Sequence, residues 1–232
     1  MGETFMRSPN KVEKLAYLYG PTYYTPKVKM CGISKMETIP AIVEAKPDYM
    51  GFVFAPSKRQ VTVEQAKTLV DELHKQYEIK TVGVFVNETI ENLLKIVEEV
   101  KLDVIQLHGD EDEAFIQSLK ECTNVEVWKA VQVRSAADAD KWIDSSADML
   151  LFDAYHKDER GGTGELFDWS SLDEFERPFM LAGGIDSTNV ARAIRTVRPY
   201  GIDISSGIET DGVKDNEKIK AFTNIVRTIA LS

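Results

Sequence analysis

Short apolar runs alternate along most of this chain with longer segments in which apolar residues recur every three or four positions. Short apolar runs bounded by turn residues are typical of buried β-strands, and the longer period is typical of amphipathic helices. The strand-like runs are 28–31, 49–54, 81–86, 104–107, 125–131, 149–153, 179–182 and 201–205. Helical periodicity is clear over 63–76, 88–100, 111–121 and 216–229.

Eight strands alternating with helices match an α/β protein of the (β/α)₈ TIM-barrel class, formed by residues 28–232 as a single domain. A doubly wound open sheet is the alternative, but no GxGxxG motif lies between the first strand and helix. Residues 1–27 contain three prolines and a Tyr-rich stretch, so we expect a short N-terminal extension whose role the sequence leaves open.

Alternate residues of a barrel strand face the interior, and functional groups gather at the carboxyl ends of the strands. Lys29 and Cys31 share one face of the first strand, and Asp203 is in phase with Ser205 on the last strand. The first and last strands become neighbours when a barrel closes. The sequence therefore predicts a buried ion pair between Lys29 and Asp203, close beneath Cys31.

Composition and charge limit the kinds of molecule that the protein is expected to bind and the compartment in which it is expected to act. The 232 residues are 43% hydrophobic and carry a net charge of −10, which fits a globular protein and argues against nucleic-acid binding. No signal peptide is predicted, because the amino terminus lacks an apolar core. No membrane span is predicted, because no later stretch approaches the roughly 18 apolar residues needed. Cys31 and Cys122 lie far apart and indicate neither a disulfide framework nor a metal site. We expect a reduced, cytoplasmic setting and no metal.

Two small-residue turns are candidates for phosphate binding. "LAGGID" ends the seventh strand and "ISSGIE" ends the eighth, so Gly183, Gly184, Ser206 and Gly207 can present backbone N–H groups to an anion. Barrels often hold phosphate at this position. Two ordinary tight turns are the alternative interpretation.

Cys31 and Asp153 are candidates for acid/base chemistry at the ends of the first and sixth strands. A cysteine acts as a base only as the thiolate, and a nearby Lys29 favours that form. A small buried hydrophobe is the commoner role of a free cysteine, and a turn or helix cap is the alternative for the aspartate.

Three further features could contact a ligand. Arg59, after the second strand, has the planar guanidinium that suits a carboxylate, although such residues are also common on surfaces. His108 ends the fourth strand and faces the predicted mouth, without a cluster that would indicate a metal. The Gly-rich segment 157–170 is either a mobile cover or a plain connection.

Several motifs resemble the phosphoribosylanthranilate isomerase family, and they occur in that family's order from about Lys27 to the carboxyl terminus. They are "KMCGIS", "GFVFAPSKRQV", "VGVFVN", "IQLHGDE", "LLFDA" with "GGTGELFDW", "LAGGI" and "DISSGIETDGVKD". Met30 stands where the family usually has Ile. The extension before Lys27 is outside the resemblance.

The resemblance implies an isomerase of tryptophan synthesis that converts N-(5-phosphoribosyl)anthranilate into 1-(2-carboxyphenylamino)-1-deoxyribulose 5-phosphate by an Amadori rearrangement. It implies that Asp153 is the general acid, Cys31 the general base, and Arg59 a ligand of the anthranilate carboxylate. The glycine-rich turns would bind phosphate, and His108 and Asp203 would contact substrate. No cofactor is expected, since ring opening and proton transfer need only an acid and a base.

Two other functions remain as alternatives. A related isomerase of histidine synthesis uses paired aspartates, one on the first strand, and Cys31 in that place argues against it. A catalytically silent phosphate-binding barrel is the other, and the presence of both Cys31 and Asp153 argues against it. The expected partner is a small sugar phosphate, with no nucleic acid and no membrane, and the oligomeric state is left open.

Overall fold

The computed structural model describes residues 25–154 and 168–229. Residues 1–24 of the predicted extension lie outside the described residues, so its boundary and role stay predictions. Most of the predicted Gly-rich segment, up to residue 167, also lies outside them.

Eight parallel strands form a closed barrel in the order of the chain, with the eighth strand paired to the first. This confirms the predicted (β/α)₈ class. The strands are β1 Lys27–Cys31, β2 Tyr49–Val53, β3 Lys80–Phe85, β4 Val104–Leu107, β5 Glu126–Gln132, β6 Met149–Asp153, β7 Phe179–Ala182 and β8 Gly201–Ile204.

Helices follow the strands around the outside. They are α1 Ile39–Ala45, α2 Val63–His74, α3 Ile90–Val100, α4 Glu113–Cys122, α5 Ala136–Asp140, α6 Val190–Val197 and α7 Asn216–Ile229. A 3₁₀ turn, Trp169–Leu172, precedes β7, and another, Ser206–Ile208, follows β8. A small hairpin comes next, with strands β9 Glu209–Thr210 and β10 Val213–Lys214.

Side-chain caps explain where the helices begin. The side chains of Thr89 and Asp112 accept hydrogen bonds from backbone N–H groups inside α3 and α4. A capping residue has extended backbone and stands outside the helix. The two helices therefore start two residues later than the hydrophobic period predicts, at Ile90 and Glu113.

Most side chains inside the barrel are apolar, and polar groups are concentrated towards the carboxyl ends of the strands. A compact cluster fills it, with the rings of Tyr49 and Trp128 packed edge to face at 4.9 Å. The other members of the cluster are Val82, Val104, Ala130, Leu151, Met180 and Ala182. Further along the same inward faces come the polar groups of Cys31, Gln106 and Asp153. The filled interior thus supports an open, polar end.

Among the described helices, none has the length and apolar character needed to cross a bilayer.

An aromatic cluster holds the outer face of β6, the strand that carries Asp153. The ring of Phe152 packs against Phe175 at 4.9 Å and against Phe179 at 5.0 Å between centroids. All three side chains are buried. Aromatic pairs of this kind add to the free energy gained from burying their area.

We predict that Phe152→Ala lowers the free energy of unfolding by about 3–5 kcal/mol, because it removes a fully buried ring and leaves a cavity. Urea denaturation followed by circular dichroism measures the loss. Val86→Ala is the control, since Val86 is 44% exposed, and we expect a change within about 0.5 kcal/mol. Equal losses in the two variants would contradict the role of the aromatic cluster.

Candidate active site

The predicted ion pair between β1 and β8 is present. Lys29 and Asp203 are directly paired in the strand register, and Nζ of Lys29 donates a hydrogen bond to Oδ2 of Asp203 at 2.9 Å. Lys29 is completely buried and Asp203 is 8% exposed. Burial lowers the pKa of Lys29, but the charges and hydrogen bonds of Asp203 and Cys31 together outweigh that effect and hold the pKa above its ordinary value. The lysine is therefore a permanent buried cation beside Cys31.

A glycine on β2 makes room for the Cys31 thiol. Gly51 is the register partner of Cys31. A Cβ atom at residue 51 would lie 2.9 Å from Sγ of Cys31 and 3.2 Å from Nζ of Lys29. Such contacts are too short for ordinary packing, so a side chain here would displace the thiol or the ammonium group.

Burial raises the pKa of the Cys31 thiol above its ordinary value. Lys29 and Lys214 act in the opposite direction, as the sequence analysis expected of Lys29, while Asp203 adds to the rise. The predicted effect of Lys29 on the thiolate is therefore present, but the loss of hydration outweighs the attraction of the cation. Cys31 rests as a neutral thiol.

Asp153 and His108 lie close together at the carboxyl ends of β6 and β4. Nε2 of His108 is 3.7 Å from Oδ2 of Asp153. On the other side of the ring, Nε2 of Gln106 donates to Nδ1 of His108 at 3.0 Å. The Asp153 side chain is 29% exposed. The acid thus faces the mouth of the barrel, separated from β1 by β7 and β8 in the strand order.

The turn that carries His108 is fixed by a buried ion pair that the sequence does not reveal. The Glu111 carboxylate accepts hydrogen bonds from the backbone N–H groups of Asn87 and Gly109 at 2.7 and 2.9 Å. It also accepts one from Nζ of Lys129 at 3.0 Å. The motif "HGDE" does not indicate that Glu111 pairs with Lys129, because Lys129 lies on the next strand.

Arg59 is engaged by another residue of this chain. Its Nε and Nη2 donate to the two oxygens of Glu209 at 2.6 and 2.9 Å. Burial raises the pKa of Glu209, but hydrogen bonds from Arg59 and Lys214 outweigh it and lower the pKa to about 2. The sequence predicts Arg59 as a ligand of a substrate carboxylate and does not reveal Glu209 as its partner. Two of the donor atoms of Arg59 are therefore occupied, and within the described part of the chain Nη1 is not.

The hairpin that supplies Glu209 has a recognisable turn. Asp211 and Gly212 have φ values of +52° and +78°, the conformation that an Asp-Gly pair adopts in a tight hairpin. This turn places Lys214 opposite Glu209 in the register, and Nζ of Lys214 donates to its carboxylate at 3.0 Å. The motif "ETDGVK" therefore indicates a hairpin whose first and last residues, Glu209 and Lys214, pair across the two strands.

The two glycine-containing turns after β7 and β8 meet each other. Gly183 and Gly184 both have positive φ, +89° and +61°. A Cβ at Gly207 would lie 2.1 Å from the carbonyl oxygen of Ile185. Ser206 begins the 3₁₀ turn beside them. The predicted candidates for phosphate binding therefore share one small surface.

Within residues 25–154 and 168–229, no cluster of three or more His, Cys, Asp or Glu side chains is arranged for a metal ion. Cys122 is exposed at the end of α4.

A family model described as N-(5′-phosphoribosyl)anthranilate (PRA) isomerase matches residues 28–225 of this chain. The chain belongs to that family. A relative named N-(5′-phosphoribosyl)anthranilate isomerase, from Thermoanaerobacter sp. (strain X514), is 50% identical over 205 residues, covering 88% of this chain and 98% of the relative. A relative of the same name from Clostridium acetobutylicum is 46% identical over 205 residues, covering 87% and 98%.

Solved structures of the phosphoribosylanthranilate isomerase family share the barrel. The enzyme from Thermotoga maritima has a TM-score of 0.78 at 36% identity, covering 88% of this chain and 99% of its own. A second structure is of the isomerase in complex with reduced 1-(o-carboxyphenylamino)-1-deoxyribulose 5-phosphate. It has a TM-score of 0.75 at 35% identity and covers 88% and 99%. The family expected from the sequence motifs is confirmed.

We predict that Cys31 reacts with iodoacetamide more slowly than Cys122, and that its rate rises only at a pH above the usual range for a thiol. The physical reason is that burial raises the pKa of the Cys31 thiol. Mass spectrometry after timed labelling between about pH 7 and about pH 10 measures both sites in one sample. Faster labelling of Cys31 than of exposed Cys122 at neutral pH would contradict the raised pKa.

Proposed function

We propose that this chain converts N-(5-phosphoribosyl)anthranilate into 1-(2-carboxyphenylamino)-1-deoxyribulose 5-phosphate, the isomerisation of tryptophan synthesis that its family name indicates. One observation supports the proposal above the others. In a member of this family, a buried thiol with a cation beside it and a partly exposed carboxyl group lie at the carboxyl ends of barrel strands, where TIM-barrel enzymes react.

Asp153 is the general acid of the first step. It gives its proton to the ribose ring oxygen, the bond from that oxygen to C1′ breaks, and the nitrogen lone pair forms a Schiff base at C1′. A carboxyl group at the mouth can exchange protons with water between turnovers. His108, with Nε2 directed at Asp153, is placed to contact the acid or the hydroxyl that it releases.

Cys31 is the general base of the second step. Its thiolate takes the proton from C2′, the electron pair of that bond forms the C1′–C2′ double bond, and the iminium nitrogen becomes neutral. The enolamine then tautomerises to the ketose. A raised thiol pKa means that little thiolate is present, but what is present is a stronger base. The neighbouring ammonium group of Lys29 compensates its charge.

The remaining predicted residues hold the substrate. The N–H groups at Gly183, Gly184, Ser206 and Gly207 receive the phosphate. Both glycines of the turn after β7 have positive φ, and the turn after β8 packs directly against it, so the two turns can present backbone amides to one anion. Nη1 of Arg59 is directed to the anthranilate carboxylate.

Asp203 offers a hydrogen-bond acceptor to a sugar hydroxyl. Its Oδ1 is buried and has no hydrogen-bond partner among the described residues. An acceptor left in that state costs free energy, and a substrate hydroxyl relieves it.

Neither chemical step requires a metal or an organic cofactor, because both move protons between carbon, oxygen and side-chain acids or bases. The base has to be a free thiol, so we propose that the protein acts in a reducing compartment such as the cytoplasm. Loss of the fluorescence of N-(5-phosphoribosyl)anthranilate on addition of the protein tests the proposed reaction. Turnover of the histidine-pathway aminoaldose in its place would contradict the assignment.

We predict that Asp153→Asn abolishes turnover, with kcat lowered by about 100- to 10,000-fold, because an amide cannot protonate the ring oxygen. Substrate affinity, measured by fluorescence titration, is expected to stay within about threefold, since Asn has nearly the same shape as Asp. Asp173→Asn is the matched control on an exposed aspartate. Near-normal turnover in Asp153→Asn would remove Asp153 from the role of acid.

For Cys31→Ser we predict a loss in kcat of about 100-fold or more, because a hydroxyl is a far weaker base at neutral pH. The control is Cys122→Ser, which changes the exposed cysteine and should leave kcat unchanged. Steady-state assays of the two variants at several pH values measure the effect. An unaffected rate in Cys31→Ser would make the buried thiol a packing group.

A further inference from the structure

We propose that Glu209 is a positioning residue for Arg59, and that the Glu209–Lys214 hairpin thereby sets the preference of the site for a substrate with an anionic ring substituent. The inference rests on the proposed function, because it assumes that Arg59 receives the anthranilate carboxylate. It goes beyond that function by assigning a task to the hairpin after β8, which supplies none of the proposed acid, base or phosphate groups.

The guanidinium of Arg59 is held along one edge. Both bonds to Glu209 are short, 2.6 Å from Nε and 2.9 Å from Nη2, and together they form a bidentate pair that fixes the plane of the group. With this edge occupied, Nη1 is on the side of the guanidinium away from the Glu209 carboxylate. An arginine held in this way loses little conformational freedom when it binds a ligand.

The stem of Arg59 is fixed as well. A Cβ atom at Gly32 would lie 2.5 Å from Cδ of Arg59, and Gly32 has a φ of +76°. The arginine chain therefore crosses directly over the residue that follows Cys31. This contact places the guanidinium next to the proposed base, where one end of a substrate bound over Cys31 would lie.

Glu209 is itself held in place, so it can act as a fixed support. Its side chain is 6% exposed, and Lys214, equally buried, donates to Oε1 at 3.0 Å. Lys214 also donates to the carbonyl oxygen of Ser205 at 2.8 Å, which ties the hairpin to the end of β8. A hydrogen-bonded carboxylate between two fixed cations cannot follow Arg59 if the arginine moves.

The charges of this cluster favour an anion. Arg59 and Lys214 contribute two positive charges against the single negative charge of Glu209, and exposed Lys58 lies 3.6 Å from the same carboxylate. The cluster therefore keeps a net positive charge after its internal pairs are formed. A ligand carboxylate at Nη1 completes the neutralisation.

The competing interpretation gives Glu209 the opposite effect. If Glu209 occupied the edge that the substrate carboxylate needs, it would act as an internal competitor, and its removal would strengthen the binding of anionic ligands. The two interpretations predict changes of opposite sign, so a binding measurement separates them.

The experiment compares two ligands by isothermal titration calorimetry. One is reduced 1-(o-carboxyphenylamino)-1-deoxyribulose 5-phosphate, and the other is the same molecule with phenylamino in place of o-carboxyphenylamino. The quantity measured is the ratio of their Kd values, which isolates the contribution of the carboxylate. The variants are Arg59→Ala and Glu209→Gln, and Lys58→Ala is the matched control beside the same carboxylate.

We expect the native protein to bind the carboxylate ligand about 10- to 100-fold more tightly than its neutral counterpart, the range of one well-oriented charge-assisted contact. Arg59→Ala should abolish this preference. Glu209→Gln should reduce it by about tenfold while leaving the Kd of the neutral ligand within about twofold. Lys58→Ala should change the ratio by less than about twofold, because Lys58 is 60% exposed.

Any other result contradicts either the positioning role of Glu209 or the assignment of Arg59 to the substrate carboxylate. An unchanged ratio in Glu209→Gln, with the preference lost in Arg59→Ala, overturns the positioning role and leaves the proposed function intact. A ratio that increases in Glu209→Gln shows competition and also overturns the role. An unchanged ratio in Arg59→Ala overturns the carboxylate assignment and the inference together. Equal weakening of both ligands in Glu209→Gln marks a purely structural residue.

A second variant covers the case in which Glu209→Gln does not fold. Glu209→Asp keeps the charge beside Lys214 but withdraws the carboxylate by one methylene group, so it cannot reach both Nε and Nη2. We expect it to reduce the ratio by about threefold or more, and a native ratio in Glu209→Asp would overturn the proposal.

Discussion

The ion pair between Lys29 and Asp203 is the interaction on which the arrangement of the site depends. It joins the first and last strands of the chain where the barrel closes, in direct register and almost without contact with water. Removing two charges from water costs several kcal/mol for each, and their attraction repays this only when the geometry is good. A shift of one residue in the pairing of β1 with β8 would leave a buried charge unpaired, so the ion pair enforces one register. That register places Cys31 and Ser205 beside each other, and the Ser205 hydroxyl donates to the Cys31 carbonyl oxygen at 3.2 Å.

Two groups of charged side chains lie between the pairing of β1 with β8 and the mouth of the barrel. The Lys29–Asp203 pair is neutral overall, and the Arg59–Glu209–Lys214 cluster above it is positive by one charge. The protein is strongly acidic as a whole, with a net charge of −10. This cluster therefore has a charge of opposite sign to that of the whole protein, which suits the phosphate and the carboxylate of the proposed substrate. In the proposed function, local electrostatics and not the overall charge attract the anionic substrate.

The sequence predicts most of the fold but only part of the site. The fold follows from local patterns, whereas the site also depends on contacts between distant residues. Strand phase is a local property, so the inward direction of Lys29, Cys31 and Asp203 follows from counting residues by twos. Barrel closure then brings distant strands together by topology alone. The pKa of Cys31 does not follow, because its direction depends on how completely neighbouring chain segments exclude water. Arg59 and Glu209 are 150 positions apart, and only the structure shows that they share two hydrogen bonds.

The raised pKa of the Cys31 thiol has a consequence for the durability of the protein. Peroxides and disulfides attack thiolates far more readily than neutral thiols, and they need access to the sulfur. Sγ of Cys31 is protonated at rest and lies in a buried position beneath the mouth, so between turnovers it is a poor target for oxidants. The same burial that raises the pKa of the thiol therefore preserves the proposed base, whereas Cys122 on the surface has no such protection.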